Sequence, residues 1–394
     1  MEIVPMPTTR KIAIIGAGPG GLTLARLLQM NGANVVVYER DGGQLSRAQG
    51  ATLDLHDDAG LKALRKADLM NAFEANYRPD ADKLMVVDQD GTIILNNFVS
   101  GDHGPERPEI DRGPLRDLLI NSLRPDTIVW NRQFTSLATV DGSIDLSFSN
   151  GESALADIVI AADGANSRIR PYITTIGPIY SGITIVEGNV YHSAKATPEI
   201  HKLVDNGKIC ALGNSKSLFV VSKGDGSLAF YTGHRTDELW FRDSNIDFSN
   251  RTEVLNWFKS EFSGWSVLWD ALFENAEPNI TPRPQYFFPM GRSWEALPNM
   301  TMIGDAAHVM PPYAGEGVNM AMLDALELAE CLLSNDYPNV QSAIASYESQ
   351  MRKRALASTH MTLDQTYAFH SPVAIPRLIE FFAEHIDAKV RAQA

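Results

Sequence analysis

The sequence has 394 residues, of which 44% are hydrophobic and 21% are charged. This composition is that of an ordered globular protein, and the length suggests about two or three structural units. The formal net charge of −14 argues against a nucleic-acid partner or an anionic membrane, because binding to phosphates draws on clustered lysine and arginine.

The cysteines and the N-terminal segment bear on the compartment. Two cysteines, Cys210 and Cys331, fit a reducing environment and offer no metal-ligand spacing. Residues Met1–Arg10 lack the apolar core of a signal peptide, and no apolar run approaches the ~18 residues needed to span a bilayer. We therefore expect a cytoplasmic monomer without a metal site or a stable membrane association.

The chain opens with the pattern of a βαβ unit. Lys11–Ile15 is a short apolar strand, and a glycine-rich segment follows it directly. Apolar residues at helical spacing then predict a helix that ends near Asn31-Gly32, and Asn34–Tyr38 is a β-branched strand typical of a buried parallel sheet.

Later elements alternate between short strands and helices. Gly, Asn and Ser turns between Thr184 and Thr232 indicate antiparallel sheet there. The other predicted strands are Leu84–Val87, Thr92–Leu95, Ile144–Phe148, Ile158–Ala162 and Met300–Ile303. The predicted helices are Asp57–Ala75, Arg112–Leu123, Thr252–Phe262, Gly315–Leu333, Val340–Phe369 and Arg377–Lys389.

These elements predict an α/β fold with a Rossmann-like, doubly wound nucleotide-binding domain. We expect that domain to be discontinuous, over residues 1–75, 105–175 and 280–335. Residues 76–104 and 176–279 would form an inserted antiparallel-sheet domain for the substrate. Residues 336–394 would form a C-terminal helical segment with one long helix.

The first glycine-rich segment is the strongest single motif. Gly16, Gly18 and Gly21 have the G-x-G-x-x-G spacing, with Pro19 and Gly20 between the last two glycines. Such a turn lets a diphosphate approach the backbone at a helix N-terminus. Glu39 ends the second strand, where its carboxylate can accept bonds from ribose hydroxyls and would disfavour a 2′-phosphate. The ligand predicted from these residues is FAD or NAD.

Two further segments favour FAD. Residues 157–168 form a buried strand that ends in Asp163-Gly164, and residues 300–308 form another that ends in Gly304-Asp305. Asp305 can accept a ribityl hydroxyl at the strand end. The backbone N–H groups of Gly315–Asn319, at a predicted helix start, can stabilise a reduced flavin anion.

The order of glycine loop, D-G segment and G-D segment resembles the class A flavoprotein monooxygenases, the para-hydroxybenzoate hydroxylase type, over nearly the whole chain. Within that class the chain most resembles the tetracycline-inactivating FAD monooxygenases. The similar stretches are Val37–Asp41, Thr52–His56, Pro108–Arg112 with Leu115-Arg116, and Met302–His308.

This resemblance implies a set of cofactor contacts and a reaction. NAD(P)H would reduce FAD, and a C4a-hydroperoxide formed with O2 would hydroxylate an aromatic or polycyclic small molecule. Because no second glycine-rich fold is present, NADPH or NADH would dock transiently, with Arg47 as a phosphate clamp or merely in a surface salt bridge. The implied FAD contacts are Glu39, Arg40, Asp54, Arg116, Asp305, Pro312, Gly315, Glu316, Gly317, Val318 and Asn319, with Asp163 and Gly304 shaping the flavin domain.

The resemblance also implies a substrate pocket between the inserted sheet and the flavin. Positions that contact tetracycline in the family fall on Glu187, Lys208, Val221 and Ala229, where the family prefers Gln, Arg, Asn and His. Losing a polar contact can cost orders of magnitude in selectivity, so tetracycline ranks second to another aromatic or polyketide-like substrate. Further candidate lining residues are Phe219, Phe230, Tyr231, Met310, Pro312, Tyr313 and Gly315.

Two alternatives follow from the same residues. A flavin-dependent dehydrogenase or oxidase would use the same cofactor site without inserting oxygen. A flavin-binding protein without catalytic activity would keep the fold alone. His308 is expected to pack structurally rather than to act as a base, and no nucleophilic triad or metal cluster is required.

Overall fold

The protein is described here by a computed structural model, over residues 10–46, 52–79, 81–96, 107–278, 280–289 and 291–380. The chain divides into two compact units. The first unit comprises the described residues within Met1–Tyr77, Ile110–Ile179 and Tyr286–Thr362. The second comprises those within Arg78–Glu109, Tyr180–Gln285 and Leu363–Ala394.

The strands are β1 (Lys11–Ile15), β2 (Asn34–Tyr38), β3 (Thr52–Asp54), β4 (Leu84–Asp88), β5 (Ile93–Asn96), β6 (Glu109–Asp111), β7 (Ile128–Val129), β8 (Phe134–Val140), β9 (Ser143–Phe148), β10 (Ser153–Ala156), β11 (Ile158–Ala161), β12 (Ile179–Val190), β13 (Lys208–Gly213), β14 (Lys216–Ser222), β15 (Leu228–Arg235), β16 (Thr281–Phe287) and β17 (Met300–Met302). The helices are α1 (Pro19–Met30), α2 (Gly60–Lys66), α3 (Met70–Glu74), α4 (Arg112–Asn121), α5 (Arg170–Ile173), α6 (Ser193–Ala196), α7 (Pro198–Val204), α8 (Trp240–Asp243), α9 (Arg251–Glu261), α10 (Asp270–Glu274), α11 (Asp305–His308), α12 (Gly317–Leu333) and α13 (Val340–Phe369).

The first unit contains a parallel sheet in the order β17-β11-β1-β2-β7. The central strand β1 is almost wholly buried, and Ile14 pairs with Val37 on one side and Ile160 on the other. Parallel strands covered on both faces are continuous apolar runs, as these are. Helix α1 connects β1 to β2 and packs closely on α12, where Gly20 approaches the backbone of Ala321. The Rossmann-like, doubly wound expectation is confirmed for this unit.

A smaller antiparallel sheet, β10-β9-β8, also belongs to the first unit. Its inward-facing residues on β9 are Ile144, Leu146 and Phe148, all buried in the same core as the parallel sheet. The alternation of buried and half-buried residues along β9 is the pattern of a sheet with one covered face.

The second unit is built on a sheet in the order β16-β12-β15-β14-β13-β4-β5. The pairs that join β12, β15, β14 and β13 are antiparallel, whereas β13 and β4 are parallel. One face carries a core in which Phe258 of α9 stacks on Phe273 of α10, with ring centroids 4.1 Å apart. The inserted β-rich domain is thus present, with one parallel pair that its sequence pattern did not indicate.

Most predicted bounds agree with the structure within a few residues, and the exceptions have local causes. The helix expected over Asp57–Ala75 is interrupted at Asp68, which has a φ of 58°. Aspartate tolerates this left-handed conformation because its short side chain can hydrogen-bond locally. The final helix expected over Arg377–Lys389 extends beyond the described residues. Among the helices of the described ranges, none has the length and apolarity to cross a bilayer.

Candidate functional site: a glycine loop, a G-D turn and one sheet face

The glycine loop between β1 and α1 is shaped by close backbone contacts. Gly16 has a φ of 113°, and a Cβ there would lie 2.3 Å from the carbonyl oxygen of Ala162. A Cβ on Gly21 would lie 2.2 Å from the carbonyl oxygen of Gly16, whereas one on Gly18 would meet nothing within 4 Å. Helix α1 begins at Pro19 without a side-chain cap. Its first N–H groups therefore border open space at Gly18, which suits an anion.

Glu39 and Arg116 fix the backbone of this loop. The Glu39 carboxylate, 5% exposed, accepts from Ala17 N–H at 2.6 Å and from Asp41 N–H at 3.0 Å. Arg116 donates from Nε to the carbonyl oxygen of Ala17 at 3.2 Å and from Nη1 to that of Gln44 at 2.9 Å. A carboxylate has about four acceptor positions, so Glu39 keeps capacity for ribose hydroxyls. Arg116 is used mainly to hold the loop.

Other sequence-predicted contacts near the loop differ in exposure. The side chain of Arg40 is exposed, and Arg47 lies outside the described residues. The Asp163 carboxylate accepts from the backbone N–H of Arg168 at 2.8 Å. Burial raises the pKa of Asp163, and hydrogen bonds from Ser167 and nearby backbone groups act to lower it. This carboxylate therefore closes the D-G turn, in keeping with a role in shaping the domain.

The G-D turn places one carboxylate outward from a buried segment. Gly304 has φ 58° and ψ −143°, and a Cβ there would lie 2.9 Å from Cβ of Ala321. Asp305 follows it with an exposed side chain, although Ala306, Ala307 and His308 are buried. The Asp305 carboxylate lies 3.9 Å from the position of a Cβ on Gly317, at the start of α12. A hydroxyl of a ligand could reach this carboxylate.

Arg170, which is not among the site residues predicted from the sequence, connects the D-G and G-D segments. It is 5% exposed and donates to the carbonyl oxygens of Ala165 at 2.9 Å, Asp305 at 2.8 Å and Ala306 at 2.7 Å. Burial lowers the pKa of Arg170, while Asp163 acts to raise it. The sequence offers Arg168 and Arg170 as equivalent cations after the D-G pair, and only the fold distinguishes the buried one.

The start of α12 is organised by Asn319. This buried side chain accepts from the N–H groups of His56 at 2.8 Å and Gly60 at 3.3 Å. It donates to the carbonyl oxygens of Asp54 at 2.9 Å and Gly315 at 3.3 Å. All four hydrogen-bonding positions of the amide are thus used within the protein. The side chain positions the segment, and only its backbone N–H remains for a ligand.

An imidazole flanked by two carboxylates lies beside this helix start. His56 Nε2 is 3.2 Å from Oδ2 of Asp54, and its Nδ1 is 3.9 Å from Oε1 of Glu316. Gly315, with a φ of 70°, lies directly against the Asp54 carboxylate. Pro312 is exposed, and Tyr313 and Val318 are half-buried. His56 belongs to the Thr52–His56 stretch that resembles the family, but the resemblance did not predict it as a cofactor contact.

The predicted substrate contacts of the second unit lie on one face of its sheet. Side chains alternate between faces along a strand, and directly paired residues share a face. One row across the sheet is Glu187, Tyr231, Phe219 and Cys210. The adjacent row is Asn189, Ala229, Val221 and Lys208. Glu187, Lys208, Phe219, Val221, Ala229 and Tyr231 are therefore brought together, and Asn189 joins them although the sequence analysis missed it.

Ion pairs flank this face, which we call the candidate substrate face. Glu187 pairs with Arg283, and Lys208 pairs with Glu109, whose side chain is 1% exposed. Phe230 does not belong to the face: it packs against Phe273 in the core on the other side, with ring centroids 4.9 Å apart. The expectation that Phe230 lines a pocket with these residues is wrong, because neighbours along a strand point to opposite faces.

Comparisons with known proteins agree on one family. A family model described as FAD binding domain matches residues 9–93 and 298–362. "Monooxygenase asqM" of Emericella nidulans is 30% identical over 375 residues, covering 81% of this chain and 83% of that protein. 6-Hydroxynicotinate 3-monooxygenase of Pseudomonas fluorescens is 28% identical over 377 residues, covering 92% of each.

Among solved structures, the tetracycline destructase Tet(51) has a similar fold. The TM-score is 0.71 at 18% sequence identity, and the alignment covers 95% of each chain. The open space at Gly18 and the exposed carboxylate of Asp305 fit the FAD that the family model names. By these relatives and this fold, the chain belongs to the class A flavoprotein monooxygenases, and FAD is its cofactor.

Proposed function

We propose that this enzyme uses NAD(P)H and O2 to hydroxylate a planar aromatic, heteroaromatic or polycyclic small molecule. The observation that carries the proposal is the candidate substrate face, where an apolar centre lies between two ion pairs. The first unit would hold FAD, and the second would supply the sheet that selects the substrate.

The chemistry of the candidate substrate face suits a flat ring with polar edges. Val221 and Ala229 are paired neighbours with small apolar side chains, Tyr231 adds aromatic surface beside them, and Phe219 packs against Phe369 at the edge of the face. Apolar pockets with a few fixed polar groups are the usual form of small-molecule sites. The Glu187 and Lys208 side chains, each already paired, would offer hydrogen bonds to carbonyl, hydroxyl or ring-nitrogen groups at the substrate's edges.

Different residues of the first unit would bind different parts of the cofactor. The N–H groups at the start of α1 would bind the diphosphate, and Glu39 would accept from the adenosine ribose. Asp305 would accept from the ribityl chain. The uncapped N-terminus of α12 would stabilise negative charge on the reduced ring system, because helix N-termini favour anions.

FAD, when bound, supplies the acceptance of hydride from NAD(P)H and the activation of O2. The chain contributes binding, orientation and exclusion of water. Arg47, outside the described residues, would clamp a phosphate of the nicotinamide cofactor.

Two substrate classes are distinguished by the residues of the face. The relative named for 6-hydroxynicotinate supports a hydroxylated aromatic or heteroaromatic compound as the first candidate. Tetracycline is the second candidate, supported by the motif resemblance around Thr52–His56 and by the shared fold. The Val221 and Ala229 side chains cannot hydrogen-bond, so polar groups of tetracycline would be left unpaired there.

The test is a screen of NADPH and NADH consumption over aromatic compounds, including 6-hydroxynicotinate and tetracycline, with mass spectrometry under isotopically labelled O2. Substrate-dependent gain of one labelled oxygen atom supports the proposal. Consumption of the nicotinamide cofactor without labelled product across the panel would support the dehydrogenase or oxidase alternative instead. Rapid loss of tetracycline absorbance would reverse the ranking of the two candidates.

A further inference from the structure

Asp324, in the middle of α12, holds the G-D turn from beneath. Its carboxylate is fully buried and accepts from Gly304 N–H at 2.8 Å and from Nε2 of His308 at 2.6 Å, both at the same oxygen. The other oxygen accepts from Nη2 of Arg354 at 2.8 Å. One side chain therefore connects the start of the turn, its end and helix α13.

We infer that Asp324 is a positioning residue for FAD, which it does not touch, and that it sets the affinity of the flavin half of the site. The inference rests on the proposed contact between Asp305 and the ribityl chain. Asp305 lies between Gly304 and His308, so Asp324 holds the backbone N–H directly before the residue that would meet the cofactor and the imidazole three positions after it.

The turn needs such support because its backbone conformation is unusual. Gly304 has φ 58° and ψ −143°, a region that is essentially restricted to glycine and persists only where the surroundings determine it. Arg170 donates to the carbonyl oxygens of the same turn, and Asp324 accepts from its N–H group at Gly304. The turn is therefore held by a cation on its C=O groups and by an anion on its N–H group. Loss of the anion would leave the turn held only through its carbonyl oxygens.

The charges of the network favour this arrangement. Burial acts to lower the pKa of His308, but the adjacent Asp324 carboxylate raises it above its usual range. Burial acts to raise the pKa of Asp324, but His308 and Arg354 lower it below its usual range. Charge-assisted hydrogen bonds of this kind are shorter and stronger than neutral ones. Glu327 pairs with Arg354 as well but makes no described bond to the turn.

The experiment compares FAD with ADP as probes of the apoprotein. ADP lacks the ribityl and flavin groups, so it tests the glycine loop without the G-D turn. Asp324→Asn is expected to weaken FAD binding by about 10-fold to 100-fold, measured by quenching of flavin fluorescence, since a hydrogen bond to a charged group is lost. ADP binding, measured by titration calorimetry, should stay within about twofold of wild type, because the loop is a separate contact.

Glu327→Gln is the matched control, since it removes a carboxylate from Arg354 and leaves the turn intact. It should change neither affinity by more than about twofold. Equal weakening of FAD and ADP by Asp324→Asn would show general loosening and overturn the inference, as would unchanged FAD affinity. If Asp324→Asn does not fold, Arg354→Met replaces it: weaker FAD binding than in Glu327→Gln supports the inference, and equal binding overturns it.

Asp305→Ala separates this inference from the proposal on which it rests. Weaker FAD binding in Asp305→Ala together with wild-type binding in Asp324→Asn would overturn the positioning role alone. Wild-type FAD binding in Asp305→Ala would contradict the proposed contact between Asp305 and the cofactor. Because the positioning role of Asp324 depends on that contact, this result would overturn it as well.

Discussion

The glycine loop of the first unit and the candidate substrate face of the second unit would present different kinds of ligand contact. The loop offers backbone N–H groups, and the neighbouring Glu39 and Arg116 side chains are bound to its backbone at Ala17. The face offers side chains from neighbouring strands, with ion pairs at its edges. Backbone recognition tolerates few changes at the glycines, whereas side-chain recognition can change with single substitutions while the sheet stays intact.

The largest effect is expected at Gly16. Gly16→Ala places a Cβ 2.3 Å from a backbone carbonyl oxygen at a φ of 113°, and neither atom can move freely. The free energy of unfolding should fall by more than about 3 kcal/mol, with loss of bound flavin. Urea unfolding of the purified variant measures this free energy. An unchanged midpoint would contradict the close approach between a Cβ at residue 16 and the carbonyl oxygen of Ala162.

Gly18→Ala separates binding from folding within the same loop. The new methyl group meets no atom within 4 Å, so the apoprotein should unfold like wild type. FAD affinity should fall by about 100-fold or more, because the methyl group occupies the space in front of the helix start. Flavin fluorescence titration gives the affinity. Wild-type affinity would mean that the diphosphate lies elsewhere.

The second unit should be the more acid-sensitive of the two. Burial lowers the pKa of His234 to about 4, and burial likewise lowers that of His370 to about 4. As the pH falls, the unfolded chain binds protons at these histidines before the folded chain does. The stability that the two neutral histidines contribute is therefore complete above pH ~6.5. It is lost as the pH falls toward 4, by at most about 3 kcal/mol for each histidine. Urea unfolding followed by tryptophan fluorescence measures this slope. The double variant His234→Gln, His370→Gln should flatten it, and an unchanged slope would assign the acid sensitivity to other groups.

Glu187→Gln tests the candidate substrate face. It removes the charge that pairs with Arg283 and should raise KM for the substrate by about tenfold, with FAD affinity unchanged. Lys216→Met is the matched control, because Lys216 points to the opposite face and contacts Glu261 and Phe262. Steady-state kinetics with the substrate found in the screen gives KM. Equal effects of both variants on KM would contradict the assignment of this face to substrate binding.

The smallest effect is expected at Glu316, where the resembled family usually has glutamine. Glu316→Gln should change FAD affinity by less than about threefold, since the backbone of Gly315–Val318 would make the contact. A larger change, measured by fluorescence titration, would mean that the carboxylate near His56 takes part directly.

The sequence predicted the parallel sheet and both glycine-dependent turns because these depend on local rules. A β-branched run between glycines specifies a buried strand, and G-x-G-x-x-G specifies a turn before a helix. It could not assign Arg170, whose bond to the G-D turn spans more than a hundred residues of chain, or Asp324, whose bond to that turn spans about twenty. Both roles depend on burial, which only the folded chain determines. Phe230 and Tyr231 are neighbours along β15 and therefore point to opposite faces, and which of these faces packs in the core depends on strand pairing, which the sequence pattern did not give.

The contacts of Arg170 also affect when the first unit can finish folding during synthesis. Its guanidinium donates to a carbonyl oxygen 5 residues earlier, in the D-G segment, and to one 135 residues later, in the G-D turn. A nascent chain that has not yet emerged beyond β17 can already form the glycine loop, β11 and the bond to Ala165, yet it lacks the Asp305 acceptor for this arginine. Stable flavin uptake should therefore await synthesis of the last quarter of the protein, and flavin fluorescence of ribosome-bound chains would report when the fold closes.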